Sequence, residues 1–215
     1  MNKLNLGNFA VYDNVLNDKE FENLWLWVQT EKYTGSHSKE WLKVWRLSDN
    51  PPMGGPTYLA SKAPFNNAID ILLPKILQIA QNSEAIIGKR GENWKEITMR
   101  SYIYPRGTKL SWHNDQGYKA ACVFYTHPRW SVSWGGELFI ADVDEEFENA
   151  LPSKLCGPLD HDYRDRLIGE RGIGRYVYCK PNRAVLTPAP IWHTVSRVDQ
   201  DAGDYCRCSI VCFFR

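Results

Sequence analysis

From residue 95 onward, the chain is a series of short β-forming segments separated by turns rich in Gly, Pro and Asp. The segments are KEITMRSYIY, KAACVFYT, GGELFIAD, RYVYCK, RAVLT, HTVSRV and CRCSIVCFF. Many short strands with turn signals between them are typical of a β-sandwich or barrel. Because the patterns that precede these strands are helical, the sequence predicts a mainly β protein with flanking helices packed outside the sheets.

The helical patterns lie in the first part of the chain. The stretch FAVYD predicts a short strand, and a helix capped by Asn17 or Asp18 follows it. The inward stripe of this helix is Phe21, Leu24, Trp25 and Val28. APFNNAIDILLPKILQIAQ predicts a second helix, which Pro74 should kink or split. Its inward residues are Phe65, Ile69, Leu72, Ile76 and Ile79. The Pro/Gly-rich segment 48–58 is expected to be an irregular loop and a candidate lid.

Charge and cysteine content restrict the class of protein. Lys and Arg number 26 against 25 Asp and Glu, so a nucleic-acid or anionic-membrane surface is not expected to be the main partner. No signal peptide is visible, and the apolar runs are too short to span a bilayer. The six cysteines include no C-x2-C pair, and Cys206, Cys208 and Cys212 share one face of a strand. We therefore expect buried, reduced thiols in a cytoplasmic protein.

The segment KLSWHNDQG places His113 and Asp115 two residues apart in a predicted strand. Residues i and i+2 of a strand point to the same side, so both side chains can face one interior point. An imidazole and a carboxylate together are two of the three ligands of a 2-His-1-carboxylate iron site. Of the other histidines, His193 follows a strand and a Pro-rich turn, where it would lie at a barrel mouth. His127 is expected to serve a turn, and His37 and His161 lie in polar segments.

The last strand combines a cation and a hydroxyl on one face. In YCRCSIVCFFR, Arg207 and Ser209 alternate with the cysteines. A buried guanidinium needs an anionic partner, which can be a bound carboxylate or one of the chain's own carboxylates. Tyr104 lies nine residues before His113, and its hydroxyl could reach the same carboxylate.

With these residues assembled, the chain resembles the Fe(II)/2-oxoglutarate-dependent dioxygenases, in particular the prolyl 4-hydroxylase-like branch. The pattern Y-x-x-G-x-x-L-x-x-H-x-D is met by Tyr104, Gly107, Leu110, His113 and Asp115. GGEL at 135–138, KPNRAVLTP followed by H-x-V, and R-x-S at 207–209 follow in the family's order, and FAVYDNVLNDKEFENL is similar to its first strand and helix. Two departures stand out. The cation is Arg207, fourteen residues after His193, where many members use an earlier lysine, and Asn182 replaces a usual glycine.

The resemblance implies a fold and a domain plan. The fold is a double-stranded β-helix, also described as a jelly roll or cupin-like fold, with N-terminal helices bracing one sheet. We expect one domain over residues 1–215. Residues 1–92 would form the strand–helix support and lid, and residues 93–215 the catalytic jelly roll. A polar insertion near 142–172 would interrupt the jelly roll.

The resemblance also implies an enzyme. His113, Asp115 and His193 would bind Fe(II), and Arg207, Ser209 and Tyr104 would bind the far carboxylate of the cosubstrate 2-oxoglutarate. With O2, and with ascorbate as a possible reductant, the reaction would hydroxylate an unactivated C–H and release succinate and CO2. Desaturation or cyclisation stays open, because it starts from the same hydrogen abstraction.

The substrate is the least constrained part of the prediction. An amino-acid-like small molecule, a natural-product intermediate or a peptide side chain is favoured. A protein prolyl hydroxylase is the alternative, and a non-catalytic metal-binding jelly roll is a further one. No nucleic acid or membrane partner is expected, and the oligomeric state is open. Candidate substrate residues flank the motifs: Trp112, Asn114, Gln116, Arg129, Trp134 and Trp192. Trp45 and Arg46 precede the candidate lid.

Overall fold

We describe the fold from a computed structural model, which describes residues 1–35, 52–143 and 167–215. These residues form two antiparallel sheets, the α-helices named below and a helical segment at 167–171. The prediction of a mainly β protein with flanking helices is therefore confirmed. No helix in these ranges is long and apolar enough to cross a membrane.

The larger sheet has eight strands in the order β1-β2-β10-β7-β12-β5-β4-β3. In chain order its strands are β1 (Asn2–Asn5), β2 (Ala10–Asp13), β3 (Thr34–Gly35), β4 (Met53–Leu59), β5 (Ile97–Tyr104), β7 (Ala120–Tyr125), β10 (Arg183–Pro188) and β12 (Arg207–Phe214). The smaller sheet has the order β6-β11-β8-β9, formed by β6 (Leu110–His113), β8 (Leu138–Ala141), β9 (Gly174–Val177) and β11 (His193–Val195). Both sheets line a cavity that lies between them.

The helices cover the outer face of the larger sheet. They are α1 (Asp18–Thr30), α2 (Ile69–Gln81) and α3 (Glu84–Ile87). Asn17 caps α1 in a capping box with Glu20, as the sequence predicts. Leu24 and Val28 of α1 are buried, and the α2 residues Ile69, Leu72, Ile76 and Ile79 are fully buried in the same cluster. This cluster is the main apolar core, and it lies on the side of the sheet away from the cavity.

The predicted split of the second helix at Pro74 does not occur, since α2 is one helix of 13 residues. A kink at Pro74 stays a prediction. Pro74 lies in the second turn and removes a single backbone hydrogen bond, while the buried residues on either side keep the helix on the sheet.

The segment 48–58 is not an irregular loop where the structure describes it, because β4 begins at Met53 and pairs with β5. The pairing shifts register between Gly54 and Thr57, so Pro56 lies at an irregularity where its missing N–H leaves no gap in the ladder. Residues 48–51 lie outside the described ranges. The predicted insertion near 142–172 also lies mostly outside them, since residues 144–166 are not described.

Alternation along β12 separates two environments. Cys208, Ile210, Cys212 and Phe214 are buried against the helices. Arg207, Ser209, Val211 and Phe213 line the cavity between the sheets. The prediction that Arg207 and Ser209 share the face opposite the cysteines is confirmed.

Candidate functional site

Two short strands of the smaller sheet bring the distant histidines together. β6 and β11 are antiparallel neighbours, and their register pairs His113 directly with His193. Side chains on directly opposed residues lie on the same face of a sheet. The two imidazole rings accordingly lie 4.2 Å apart, centre to centre.

Asp115 joins the histidines by a route that the sequence does not predict. We expected it in the same strand as His113, but β6 ends at His113. Asp115 has a left-handed backbone with φ of 52°, a conformation that Asp tolerates better than most residues. Its two carboxylate oxygens lie 3.6 Å from Nε2 of His113 and 3.4 Å from Nε2 of His193. The turn after the strand, rather than strand alternation, therefore completes the group.

The three side chains have the donor set of a metal site. One ligand atom from each of His113, Asp115 and His193 lies within 4.8 Å of the other two. The Nδ1 atoms of His113 and His193 lie 2.7 Å from the carbonyl oxygens of Ser111 and Ile191. When Nδ1–H donates to these carbonyls, Nε2 carries a lone pair toward the carboxylate. Metal-binding histidines are oriented by the same kind of backbone bond.

Asp115 is held in its ionised form. Burial raises the pKa of this carboxyl, but when the imidazoles are protonated a hydrogen bond from His193 and the charges of His113 and His193 outweigh burial. Its pKa is lowered overall. An anionic carboxylate beside two imidazole nitrogens suits a divalent cation of the 2-His-1-carboxylate type.

A cavity of about 270 Å³ joins this triad to Arg207. Its polar lining comes mainly from the triad, Tyr102, Tyr104, Tyr118, Thr187, Arg207 and Ser209. Its apolar lining is Leu110, Ala121, Val123, Leu138, Val195, Val211 and Phe213. The site is thus a largely apolar chamber with a metal-type triad on one sheet and a guanidinium on the other.

Arg207 is 1% exposed, and it forms no ion pair with a carboxylate of the described residues. Its Nε donates to the Gly136 carbonyl oxygen at 2.7 Å, and Nη1 lies 3.5 Å from Ser209 Oγ. A Cβ at Gly136 would lie 2.7 Å from Arg207 Cδ, so only glycine permits this approach. The sequence left a structural salt bridge open as the alternative. In the described part of the chain that bridge is not formed, and the guanidinium keeps donors for an anion.

Two tyrosines enclose the guanidinium. Cζ of Arg207 lies 4.9 Å from the ring centres of both Tyr104 and Tyr125. Burial raises the pKa of each phenol to about 12, so both hydroxyls stay protonated as donors. The Tyr125 hydroxyl is buried and has no hydrogen-bond partner in the described ranges. Sequence reasoning missed Tyr125, although its place in β7, directly opposite Ser209 of β12, could have indicated it.

The six candidate substrate residues lie outside the cavity lining. Trp112 and Trp192 pack in a small apolar cluster with Ala141 and Leu167. Asn114 is buried with its Nδ2 lacking a partner among the described residues, and Gln116 is exposed. Arg129 is exposed and lies over the rings of Tyr205 and Trp134, which stack on each other. Their role in substrate binding stays a prediction. Trp45 and Arg46 lie outside the described residues.

His127 belongs to the scaffold. Its Nε2 donates to the Cys179 carbonyl oxygen at 2.7 Å, and its Nδ1 accepts from the Cys208 N–H at 3.1 Å. Burial lowers the pKa of this imidazole to about 4, so it is neutral near pH 7. Both ring nitrogens are occupied by backbone, and the side chain is not part of the triad. His37 and His161 lie outside the described residues.

Residues 99–215 match the family model of the 2OG-Fe(II) oxygenase superfamily. This segment is more than half of the chain, and it contains the triad and Arg207. The chain belongs to the 2OG-Fe(II) oxygenase superfamily. No curated protein matches the chain.

Solved structures of such oxygenases share the fold of this family member. A prolyl-4-hydroxylase from Pseudomonas putida is similar with a TM-score of 0.63 at 14% identity, over 98% of this chain and 93% of that one. A prolyl hydroxylase from Trichoplax adhaerens, in complex with a hypoxia inducible factor peptide fragment, has a TM-score of 0.65 at 15% identity, over 98% and 84%. The epimerase SnoN from nogalamycin biosynthesis, with Fe3+ and alpha ketoglutarate, has a TM-score of 0.62 at 12% identity, over 96% and 78%.

Family membership confirms the predicted fold and enzyme class. The two antiparallel sheets are those of the double-stranded β-helix oxygenases, and the chain is a 2-oxoglutarate-dependent oxygenase. The family implies Fe(II), 2-oxoglutarate and O2 as its cofactor and cosubstrates. The residues fit this requirement, because the described chain supplies a His–Asp–His donor set and a buried guanidinium without a carboxylate of its own.

Proposed function

We propose that this oxygenase hydroxylates an unactivated C–H of an amino-acid-like small molecule or a peptide side chain. In the overall reaction, the substrate C–H, 2-oxoglutarate and O2 give the alcohol, succinate and CO2. One oxygen atom of O2 enters the alcohol and the other enters succinate. Bound Fe(II) and 2-oxoglutarate would supply the oxidising chemistry, and the residues of the chain would position the reactants.

In this proposal, Nε2 of His113, Nε2 of His193 and the Asp115 carboxylate hold Fe(II). Three protein ligands leave positions on the metal for the cosubstrate and for O2. The backbone bonds to both Nδ1 atoms keep the imidazoles in one tautomer and one orientation. Such fixed ligands position the reacting groups without reorganisation during turnover.

Arg207 carries the proposal. It is a buried cation with no carboxylate partner in the described ranges, and it lines the same cavity as the triad. A dicarboxylic acid that binds the metal at one end can bring its other carboxylate to this guanidinium. Ser209, Tyr104 and Tyr125 would add neutral hydroxyl donors around that carboxylate.

The apolar walls have a separate task. Leu138 and Val195 of the smaller sheet face Val123 and Val211 of the larger one across the cavity. These side chains would exclude water around the reacting C–H and so favour coupled turnover. The near-neutral net charge supports a small molecule or peptide, rather than nucleic acid, as the substrate.

Succinate formation is the direct test. The protein is incubated with Fe(II), 2-oxoglutarate and ascorbate, and succinate is measured with and without candidate amino acids and peptides. We expect slow uncoupled succinate release that a substrate accelerates, together with a gain of one oxygen in that substrate by mass spectrometry. Zn(II), which binds similar ligands but is redox-inert, should give no succinate. Absence of both Fe(II) binding and succinate would favour the non-catalytic binding module.

A further inference from the structure

A second arginine lies on the cavity side of the larger sheet. Arg100, Tyr102 and Tyr104 occupy alternate positions of β5 and so share one face. Met99 and Ile103, which lie at alternate positions on the opposite face, contact the helix-covered core. Arg100 does not itself line the cavity, but its guanidinium lies 5.2 Å from the centre of the Tyr102 ring, which does.

The local backbone makes room for this guanidinium. A Cβ at Gly54 would lie 2.5 Å from Arg100 Nη2 and 2.7 Å from Cζ. Gly54 sits where β4 shifts register against β5, and its absent side chain leaves the space that the guanidinium fills. The neighbouring Gly55 carbonyl accepts from Arg100 Nε at 2.8 Å.

This bond fixes the head group but does not neutralise it. Arg100 makes no ion pair with any residue in the described ranges. Among the described residues that line the cavity, the only carboxylate is that of Asp115, which belongs to the triad. A half-buried guanidinium that has no carboxylate partner among the described residues is suited to a bidentate carboxylate.

The two arginines stand at opposite ends of one sheet face. Arg207 of β12 pairs in register with Tyr104, whereas Val211 pairs with Arg100. Four residues of strand separate the pairs, roughly 13 Å at about 3.3 Å per residue. Tyr102 lies between the two arginines and, like the triad, lines the cavity. Burial raises the pKa of Tyr102, and the charge and hydrogen bond of Arg100 oppose that effect, which agrees with the contact between the two side chains.

The surface between Arg100 and the triad is apolar and aromatic. Tyr118 and Phe213 stack with ring centres 4.2 Å apart, and both line the cavity with Val211 and Tyr102. A molecule reaching from Arg100 toward Asp115 would therefore cross apolar and aromatic side chains. This combination matches an anionic head on an apolar body.

We propose that Arg100 binds the carboxylate of a small apolar or aromatic organic acid, amino acids included, and so determines which C–H faces the triad. The inference rests on the proposed hydroxylase function and names its substrate class. Arg207 would serve the cosubstrate and Arg100 the substrate, so that two acids bind along one sheet face without exchanging places.

Matched acids and amides test this role directly. The probes are 3-phenylpropanoate with 3-phenylpropanamide, and N-acetyl-L-leucine with N-acetyl-L-leucinamide. Binding is measured by calorimetry on the protein loaded with Zn(II) and saturating 2-oxoglutarate, which prevents turnover and occupies Arg207. Hydrogen bonds to charged groups contribute enough to predict roughly tenfold to hundredfold tighter binding of the acid.

Two variants should remove that preference. R100M should bring acid affinity down to amide affinity while leaving amide affinity unchanged, which also reports that the variant is folded. G54A should weaken acid binding by a smaller factor, because a methyl group there displaces the guanidinium without deleting it. R100K should retain part of the preference.

R175M is the matched control. Arg175 also donates to a backbone carbonyl, that of Leu6, and lies over a ring, that of Phe9, but it is exposed and lies on β9 of the smaller sheet rather than beside Tyr102 on β5. It should keep the wild-type preference for the acid.

Several outcomes would overturn the inference. These are equal binding of acid and amide, binding of neither, an acid preference that survives R100M, or one that is lost in R207M and kept in R100M. A failure of the oxygenase proposal is recognised separately. Wild-type protein would then release no succinate with Fe(II), a measurement that involves no Arg100 variant.

Discussion

The two faces of strand β12 are both buried, yet they contain different chemistry. On the helix side, Cys208, Ile210, Cys212 and Phe214 belong to the main apolar core. On the cavity side, Arg207 and Ser209 lie beside two tyrosine rings and find no carboxylate among the described residues. Burial of apolar groups stabilises a fold, whereas burial of an uncompensated charge costs free energy unless a ligand supplies its partner. One strand therefore separates the folding face from the binding face.

Removal of a metal ligand that lines the cavity should have the largest effect on activity. H193A should reduce substrate-stimulated succinate release more than about 100-fold, since loss of even an outer partner of a metal ligand costs 10–100-fold. It should also reduce Fe(II) binding, measured by metal content after dialysis. The midpoint of thermal unfolding of metal-free H193A should differ little from that of the metal-free wild type.

His127 provides the control for that variant. H127Q removes an equally buried imidazole whose two nitrogens bond to backbone atoms of Cys179 and Cys208. It should lower stability and retain Fe(II) binding. Equal loss of metal in both variants would show that the third ligand is misassigned.

The opposite face should respond in stability instead. Ile210 is fully buried against the helices, so I210A should lower the free energy of unfolding by about 2–5 kcal/mol. V211A, one residue further along but facing the cavity, should cost about 1 kcal/mol or less because its side chain already borders open space. The free energy of unfolding of both variants is measured with denaturant. The KM for 2-oxoglutarate is measured under conditions in which both variants are folded. A larger stability loss in V211A would contradict the division of faces.

Much of this division could be predicted from the sequence, because alternation is a local property. The spacing R-x-S at 207–209 against C-x-I-x-C at 208–212 assigns both faces of β12, and helical spacing assigns the buried side of α1. His113, Asp115 and His193 could be named from residue chemistry and motif order. Their convergence depends on strand pairing, which the motif order implied and the register of β6 with β11 now provides.

Other features depend on tertiary context that no local pattern carries. The left-handed turn at Asp115 replaces strand alternation, and β4 forms across a register shift in a segment that reads as a loop. Tyr125 and Arg100 are ordinary strand residues until their neighbours are known. The tryptophans beside the motifs were predicted as candidate substrate residues from residue type, but Trp112 and Trp192 pack in one apolar cluster outside the cavity lining.

The free energy of unfolding should depend on pH through His127. Burial lowers the pKa of His127 to about 4, below the value near 6.5 of an unfolded chain. The unfolded state therefore binds more protons between these values, and stability must fall as the pH falls. The full stability is present above about pH 6.5, and up to about 3 kcal/mol is lost by pH 4 at about 1.36 kcal/mol per pKa unit.

Denaturant unfolding of the wild type and H127Q across pH 7 to 4 measures this slope. H127Q should be less stable at pH 7 and show a shallower loss below pH 6.5. The carboxyl of Asp115, whose pKa is lowered, adds a loss in the same direction at lower pH in both proteins. An identical slope in both proteins would mean that His127 is not the titrating group.

A comparison of Arg207 with Arg183 tests whether a buried arginine binds the cosubstrate or stabilises the fold. R207M should raise the KM for 2-oxoglutarate roughly 30-fold or more, since losing one member of a buried charge pair costs at least about 2 kcal/mol. Because Arg207 has no internal carboxylate in the described ranges, its replacement by an apolar side chain should leave stability nearly unchanged.

Arg183 forms a bidentate pair with Asp13, with Nε–Oδ1 and Nη2–Oδ2 distances of 2.7 Å and 3.0 Å. Its hydrogen bond is the main reason that the pKa of Asp13 is lowered. R183M should therefore lower stability and leave the KM unchanged. If R207M behaved like R183M, the Arg207 guanidinium would be structural and the cosubstrate would bind elsewhere.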